Sequence, residues 1–244
     1  VLSLLRIELV KIRRSLALGM LFAIPAIVVV FNALVLTRRV GLAHLTPEQV
    51  RSFWMMNVTL WAFFMQPLFI ALITGLLNGQ EHRNQTWRMM FTLPLSPVRL
   101  YLAKWLVAFG FVACASALLL IMAGGVLALL TALGAPVAQV WHAQLPQLFG
   151  KLALGCLPVV ALQHALAWRV PNLVAPLALG VVATMMVTQT ASSQYWVWLP
   201  WDYALMAVAG SMPGAAASAL WLAGATGIVF TALGAAFFAR AVRA

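Results

Sequence analysis

The chain has 244 residues, 64% of them hydrophobic and 8% charged, roughly a third of the charged share of a soluble domain. That composition excludes a water-soluble globular protein and indicates an integral membrane protein. The net charge of +11 does not point to nucleic acid, because basic excess in an apolar chain reflects the Lys/Arg bias of loops on one side of a membrane.

Residues 1–14 place Leu2, Leu5, Leu9 and Ile12 at helical spacing with Arg6 and Arg13 at the border, the pattern of an interfacial helix. Residues 15–36 carry no charge and are long enough at 1.5 Å per residue to cross a bilayer core. The run ends without a small-residue cleavage site, so it is expected to be a retained span. Pro25 would kink it, and Asn32 is its one strongly polar interior group. Residues 37–53 read as a polar connector in which Thr46-Pro47 starts a helix, Thr as N-cap and Pro in the first turn.

The second span is expected at 54–77 and the third at 105–133, where the apolar run gives way to an uncharged connector. Between these two spans lies a polar stretch, 81–104, with Glu81, Arg83, Arg88, Arg99 and Lys104. Ionised groups are costly in hydrocarbon, so this stretch belongs in water or at the headgroups. Leu93-Pro94-Leu95 breaks any preceding helix, and Ser96-Pro97 reads as N-cap and first-turn proline of a helix running through Lys104 into the membrane.

The fourth span is placed at 150–168, interrupted by Pro158, and the fifth at 173–191 after a tight Arg169–Asn172 turn. Residues 192–217 crowd Tyr195, Trp196, Trp198, Trp201 and Tyr203 around Pro200 and Asp202. Dense Trp and Tyr mark the membrane interface, so short interfacial or re-entrant helices are expected there. The sixth span is placed at 218–239. Six spans put both termini on one side. Of the 15 Lys and Arg residues, Arg38, Arg39, Arg51 and Lys151 fall opposite and the other 11 with the termini, which predicts cytoplasmic termini and a cytoplasmic 81–104.

Little chemistry is visible. Glu8, Glu48, Glu81 and Asp202 are the only acids and are scattered, so no carboxylate pair for acid–base work is evident. The four histidines make no metal-ligand spacing, and no P-loop or nucleophile elbow occurs. Cys114 and Cys156 both sit in apolar runs and read as small hydrophobes. The chain is not visibly an enzyme and binds no cofactor by these criteria. Polar groups inside the spans, namely Asn57, Gln66, Gln163, His164 and Gln189, either make interhelical hydrogen bonds or, with Trp198, Trp201 and Asp202, line a substrate path. With no acid in any span, ion-coupled transport lacks its usual carboxylate, which argues for an external energy source.

The polar stretch resembles a family. Glu81, Asn84 and Thr86, then Leu93-Pro94, Ser96 and Arg99, then Ala103-Lys104, are similar to the segment between spans two and three of ABC-2 type permeases. The six-span order further resembles the lantibiotic/bacteriocin immunity and bacitracin-type exporter permeases. Pro97 departs from the family pattern, which often has Arg directly after Ser; here the basic residue arrives as Arg99. The resemblance implies a bacterial inner-membrane permease subunit, paired with a second permease subunit and served by a cytoplasmic ABC ATPase that holds ATP and Mg. It implies that 81–104 couples to that ATPase, through Glu81, Arg83, Asn84, Thr86, Trp87, Arg88, Phe91, Pro94, Ser96, Arg99 and Lys104, and that 192–217 is re-entrant. The apolar face of Trp87, Met89, Met90 and Phe91 suits burial in a partner groove, or else in the headgroup layer. Glu81 reads either as a partner for Arg83 or Arg88 or as a helix-start carboxylate. Competing classes are a membrane-embedded enzyme, which would need clustered His, Asp or Glu, and a non-transporting scaffold or cofactor-maturation subunit.

Overall fold

Several helices of this chain start where a hydroxyl or a proline offers a cap. The computed structural model describes residues 2–12, 15–41, 45–83, 96–137 and 139–243. After α1 (Leu2–Ile12), the Ser15 hydroxyl accepts from the amide of Ala17 at 3.3 Å and opens α2 (Leu16–Val40). Gly41, with φ of 76°, closes α2, a backbone conformation that glycine adopts without a Cβ penalty. Thr46 and Gln49 form a reciprocal capping box that starts α3 (Pro47–Leu60). A π-turn, Trp61–Met65, joins α3 to α4 (Gln66–Arg83), so that one long helix runs from Pro47 into the polar stretch. The turn immediately precedes Pro67, which has no N–H to donate and would crowd the preceding turn of a regular helix.

The remaining elements are α5 (Pro97–Ala132), α6 (Leu145–Gly155), α7 (Leu157–Arg169), α8 (Val174–Thr190), a 3-10 turn (Gln194–Trp198), α9 (Asp202–Ala209) and α10 (Ala215–Arg243). No strand occurs among the described residues. Five stretches are long and apolar enough to cross a membrane, Leu16–Val40, Pro47–Gly79, Pro97–Ala132, Leu145–Arg169 and Ala215–Arg240, and α8 is a shorter apolar helix. The protein is an all-α polytopic membrane protein.

Several boundaries differ from the sequence reading for local reasons. The second long helix begins at Pro47 rather than Trp54, because the capping box nucleates it inside the supposed connector. The first continues to Val40, with Arg38 and Arg39 in its last turn where cations complement the helix dipole. The fourth begins at Leu145, which puts Lys151 inside a helix, and its interruption falls at Cys156, just before Pro158. Ser96 precedes α5 as expected but makes no side-chain cap bond. Residues 192–217 do form two short helical pieces.

The Pro47–Gly79 stretch is the centre of the bundle, 61% buried in its most apolar window against 22% for Ala215–Arg240. Its polar groups are met by neighbours: Trp61 Nε1 donates to Ser116 Oγ at 3.0 Å, and Gln66 Nε2 donates to Ser116 Oγ at 3.3 Å and to the Leu152 carbonyl at 3.2 Å. α6 and α9 approach so closely at Gly155 that a Cβ there would sit 2.6 Å from Ala204 Cα. We therefore expect Gly155→Ala to lower the thermal midpoint markedly, at a cost of about 1–3 kcal/mol. Gly125→Ala, whose Cβ meets nothing within 4 Å, should leave the midpoint nearly unchanged in the same detergent melt.

Candidate functional site

Residues 5, 8 and 12 fall on one face of α1 by helical periodicity. That face, with Glu8 and Ile12 buried and Leu5 half-buried, is the one that turns inward. The expected apolar stripe is thus rotated. Leu9 is exposed together with Ile7 and Val10, and an acid takes its place in the interior.

Glu8 is buried because Lys104 is. Lys104, in the second turn of α5, is 1% exposed, and Glu8 and Glu81 are each 3% exposed. Its ammonium donates to Glu8 Oε2 at 2.7 Å, to Glu81 Oε1 at 3.1 Å and to the Leu77 carbonyl at 3.4 Å. Lys11, on the rim, donates to Glu8 Oε1 at 3.0 Å and to Glu81 Oε1 at 2.8 Å. Two ammonium and two carboxylate groups thereby neutralise one another in a low-dielectric site. An unpaired buried ion would cost several kcal/mol there, and charge-assisted bonds of these lengths are the strong kind. Burial alone would lower the Lys11 pKa. The hydrogen bond to Glu81 and the charges of Glu8 and Glu81 outweigh that, and its pKa rises above 10.5.

The cluster joins α1, the end of α4 and the start of α5. Those last two are the helix ends that flank residues 84–95. Glu81 lies in the last turn of α4, where the helix dipole disfavours an anion, so it is no helix-start carboxylate and its lysine partners hold it. Beside it, His82 Nε2 lies 2.9 Å from the Trp168 carbonyl at the end of α7. Trp168 packs edge-on against Phe238 of α10 at 4.4 Å, and Arg169 lies over the Phe237 ring at 5.1 Å. Five helices are tied together at this end of the molecule.

Of the coupling residues read from sequence, the structure thus brings Glu81 and Lys104 into contact. Arg83 closes α4, and Ser96 and Arg99 are exposed at the start of α5. Asn84, Thr86, Trp87, Arg88, Phe91 and Pro94 lie outside the described residues. The acids read as scattered in sequence are in part brought together, since Glu8 and Glu81 share both lysines as a salt-bridge cluster. Sequence reasoning missed Glu8 and Lys11. Their signal was available as an acid–base pair at i, i+3 inside a helix of an acid-poor chain.

The residues read as a substrate path do not gather at one cavity. Asn57 accepts from Asn32 Nδ2 at 3.2 Å and donates to the Phe53 carbonyl at 2.8 Å. His164 Nδ1 lies 3.2 Å from Asn78 Nδ2, with its ring 4.6 Å from that of Tyr101. Gln163 is fully buried and neither amide atom has a hydrogen-bond partner. Gln189 and Trp198 are exposed on the outside of the bundle, whereas Trp201 is buried. Asp202 accepts from the Thr190 hydroxyl at 2.6 Å, and burial pushes its carboxyl up to about 6 against that bond. The Asn32–Asn57, Gln66–Ser116 and Asn78–His164 pairs are interhelical hydrogen bonds. Among the described residues no group of three or more His, Cys, Asp or Glu is placed to hold a metal ion.

A helical bundle with outward-facing apolar spans and a charge-locked junction between two of them is a polytopic membrane component in form. A family model for ABC-2 family transporter proteins matches residues 4–187, and the chain belongs to that family. It is a transmembrane permease of an ABC transporter, a component that is not itself an ATPase. No match is found among curated proteins.

Two outcomes test the cluster. Lys104→Met removes the buried cation shared by two buried carboxylates and should destabilise the protein by about 3–5 kcal/mol, read as a loss of folded protein in detergent. Because the folded-state pKa of Lys11 is raised, its contribution is complete below pH 10.5 and is lost as pH rises through the folded value. Protease cleavage of α1 should therefore increase above pH 10.5, and Lys11→Met should show that increased cleavage already at neutral pH.

Proposed function

We propose that this chain is the permease subunit of a bacterial inner-membrane exporter, driven by a separate cytoplasmic ABC ATPase that carries the ATP and Mg. The observation that supports the reading best is the buried Glu8–Lys11–Glu81–Lys104 cluster, in a chain of the ABC-2 family. It fixes the spacing of the two helix ends from which 84–95 emerges. Force applied to that segment reaches α4, α5 and α1 together instead of being lost in a loose hinge.

In this reading 84–95 docks in a groove of the ATPase, with Trp87 and Phe91 as apolar anchors and Arg83, Arg88 and Arg99 around them. Closure of the ATPase pair pushes on the segment and tilts Pro47–Arg83 against Pro97–Ala132. A second permease subunit supplies the other half of the pathway, and alternating access moves the substrate outward. An amphipathic antimicrobial peptide, a drug or a lipid-like molecule is the substrate class that the lantibiotic-type resemblance supports. Gln163, with its unpartnered buried amide, and the 192–217 aromatic segment are the proposed contacts along the path. The termini face the cytoplasm. In support, Arg6, Lys11, Arg99, Lys104, Arg169 and Arg240 all lie near the charge-locked end.

The reading is tested by substrate-stimulated ATPase activity of the reconstituted complex. Trp87→Ala should lower it about tenfold or more, the loss of about 1.4 kcal/mol that truncating a hot-spot residue exceeds, and Glu81→Ala should lower it by loosening the buried cluster, while membrane insertion persists. Full stimulation in both variants would count against 84–95 as the docking element.

A further inference from the structure

At the end of the molecule away from the charge cluster, the first two turns of α3 and the loop before α6 enclose a cleft of about 490 Å³. Its wall includes Trp141, which packs on Gly124, about 30 Å along α5 from Lys104 at 1.5 Å per residue. Its chemistry is one-sided. Arg51, Gln139, His142 and Gln144 line it, and no acid does. The Arg51 side chain is exposed and has no ion pair among the described residues.

Trp54, also in the lining, is 1% exposed, and its indole N–H is buried with no acceptor. A native fold seldom leaves such a donor unmet, because the lost hydrogen bond costs about 1–3 kcal/mol. His142 stands edge-on to Trp54 at 6.2 Å, and its Nδ1 accepts the Gln144 amide at 3.1 Å. In the neutral ring that bond puts the proton on Nε2, making it a donor beside Arg51. Trp141 forms an aromatic wall held against Gly124, where a Cβ would overlap its ring, yet remains half-exposed.

We propose that this cleft binds the phosphodiester head of an anionic amphiphile. The donors in the lining are a guanidinium, an imidazole N–H and two amide side chains, with no carboxylate among the lining residues. One formal cation matches one negative charge, and a guanidinium fork suits adjacent phosphoryl oxygens. The positive end of α3, which begins at Pro47 in the cleft wall, adds to the attraction. The exposed indole of Trp141 places an apolar surface beside the head, at the level where tryptophan meets the lipid interface. This site is independent of the ATPase docking proposed above.

Native mass spectrometry of the full chain tests it, with phosphatidylglycerol and phosphatidylcholine as probes. Wild-type protein should retain phosphatidylglycerol over phosphatidylcholine. Arg51→Gln should reduce retention about tenfold and His142→Phe several-fold, as expected for loss of hydrogen bonds to a charged group. Arg38→Gln, on an exposed arginine at the same end but outside the cleft, should retain the lipid. Equal retention of the two lipids, or unchanged retention in both cleft variants, would overturn the proposal. A competition with millimolar glycerol phosphate separates the sources of the anion. No displacement is expected, and displacement would overturn the amphiphile assignment in favour of a free phosphate ester.

Discussion

A lysine ammonium buried to 1% exposure dictates much of this architecture. Taking that charge out of water is tolerable only if opposite charge and hydrogen-bond acceptors surround it. The chain meets the demand from two helices, with Glu8 of α1 and with Glu81 and the Leu77 carbonyl one turn apart on α4. The second carboxylate would leave an excess negative charge, and Lys11 removes it from the rim. None of the four side chains can leave without uncovering a partner. α1 therefore cannot detach, and α4 and α5 cannot splay, without breaking several charge-assisted bonds at once.

This constraint gives the two ends of the bundle different characters. At the charge-locked end the helices are held by ions and by the His82–Trp168–Phe238 contacts. In the middle, neutral amides and hydroxyls such as Gln66 and Ser116 link helices with weaker bonds, beside a π-turn that departs from regular helix. A charge-locked end joined to a middle held by neutral hydrogen bonds is the arrangement on which the proposed coupling through 84–95 rests.

The fold class was legible in the sequence because bilayer-length apolar runs admit few other readings. Thr46-Pro47 and Ser96-Pro97 also marked helix starts correctly, since proline tolerates the first turn and little else in a helix. What escaped was the inward face of α1. An amphipathic stripe drawn from Leu2, Leu5, Leu9 and Ile12 assumes that apolar residues face in, and the assumption fails when a buried cation elsewhere in the chain demands an anion. Only proximity in space links Glu8 to Lys104, and no local pattern encodes it. The Trp54 indole and His142 likewise meet across a long sequence separation, so their cleft carried no motif.

In the proposed function, 84–95, between Glu81 and Lys104, engages a cytoplasmic ATPase. A photo-crosslinking residue at position 87, in the chain expressed with its neighbouring genes, tests it most directly. The account predicts that light produces an adduct with a P-loop ATPase subunit, and that Lys104→Met in the same chain weakens it. An adduct confined to lipid, or to this chain alone, would contradict the account.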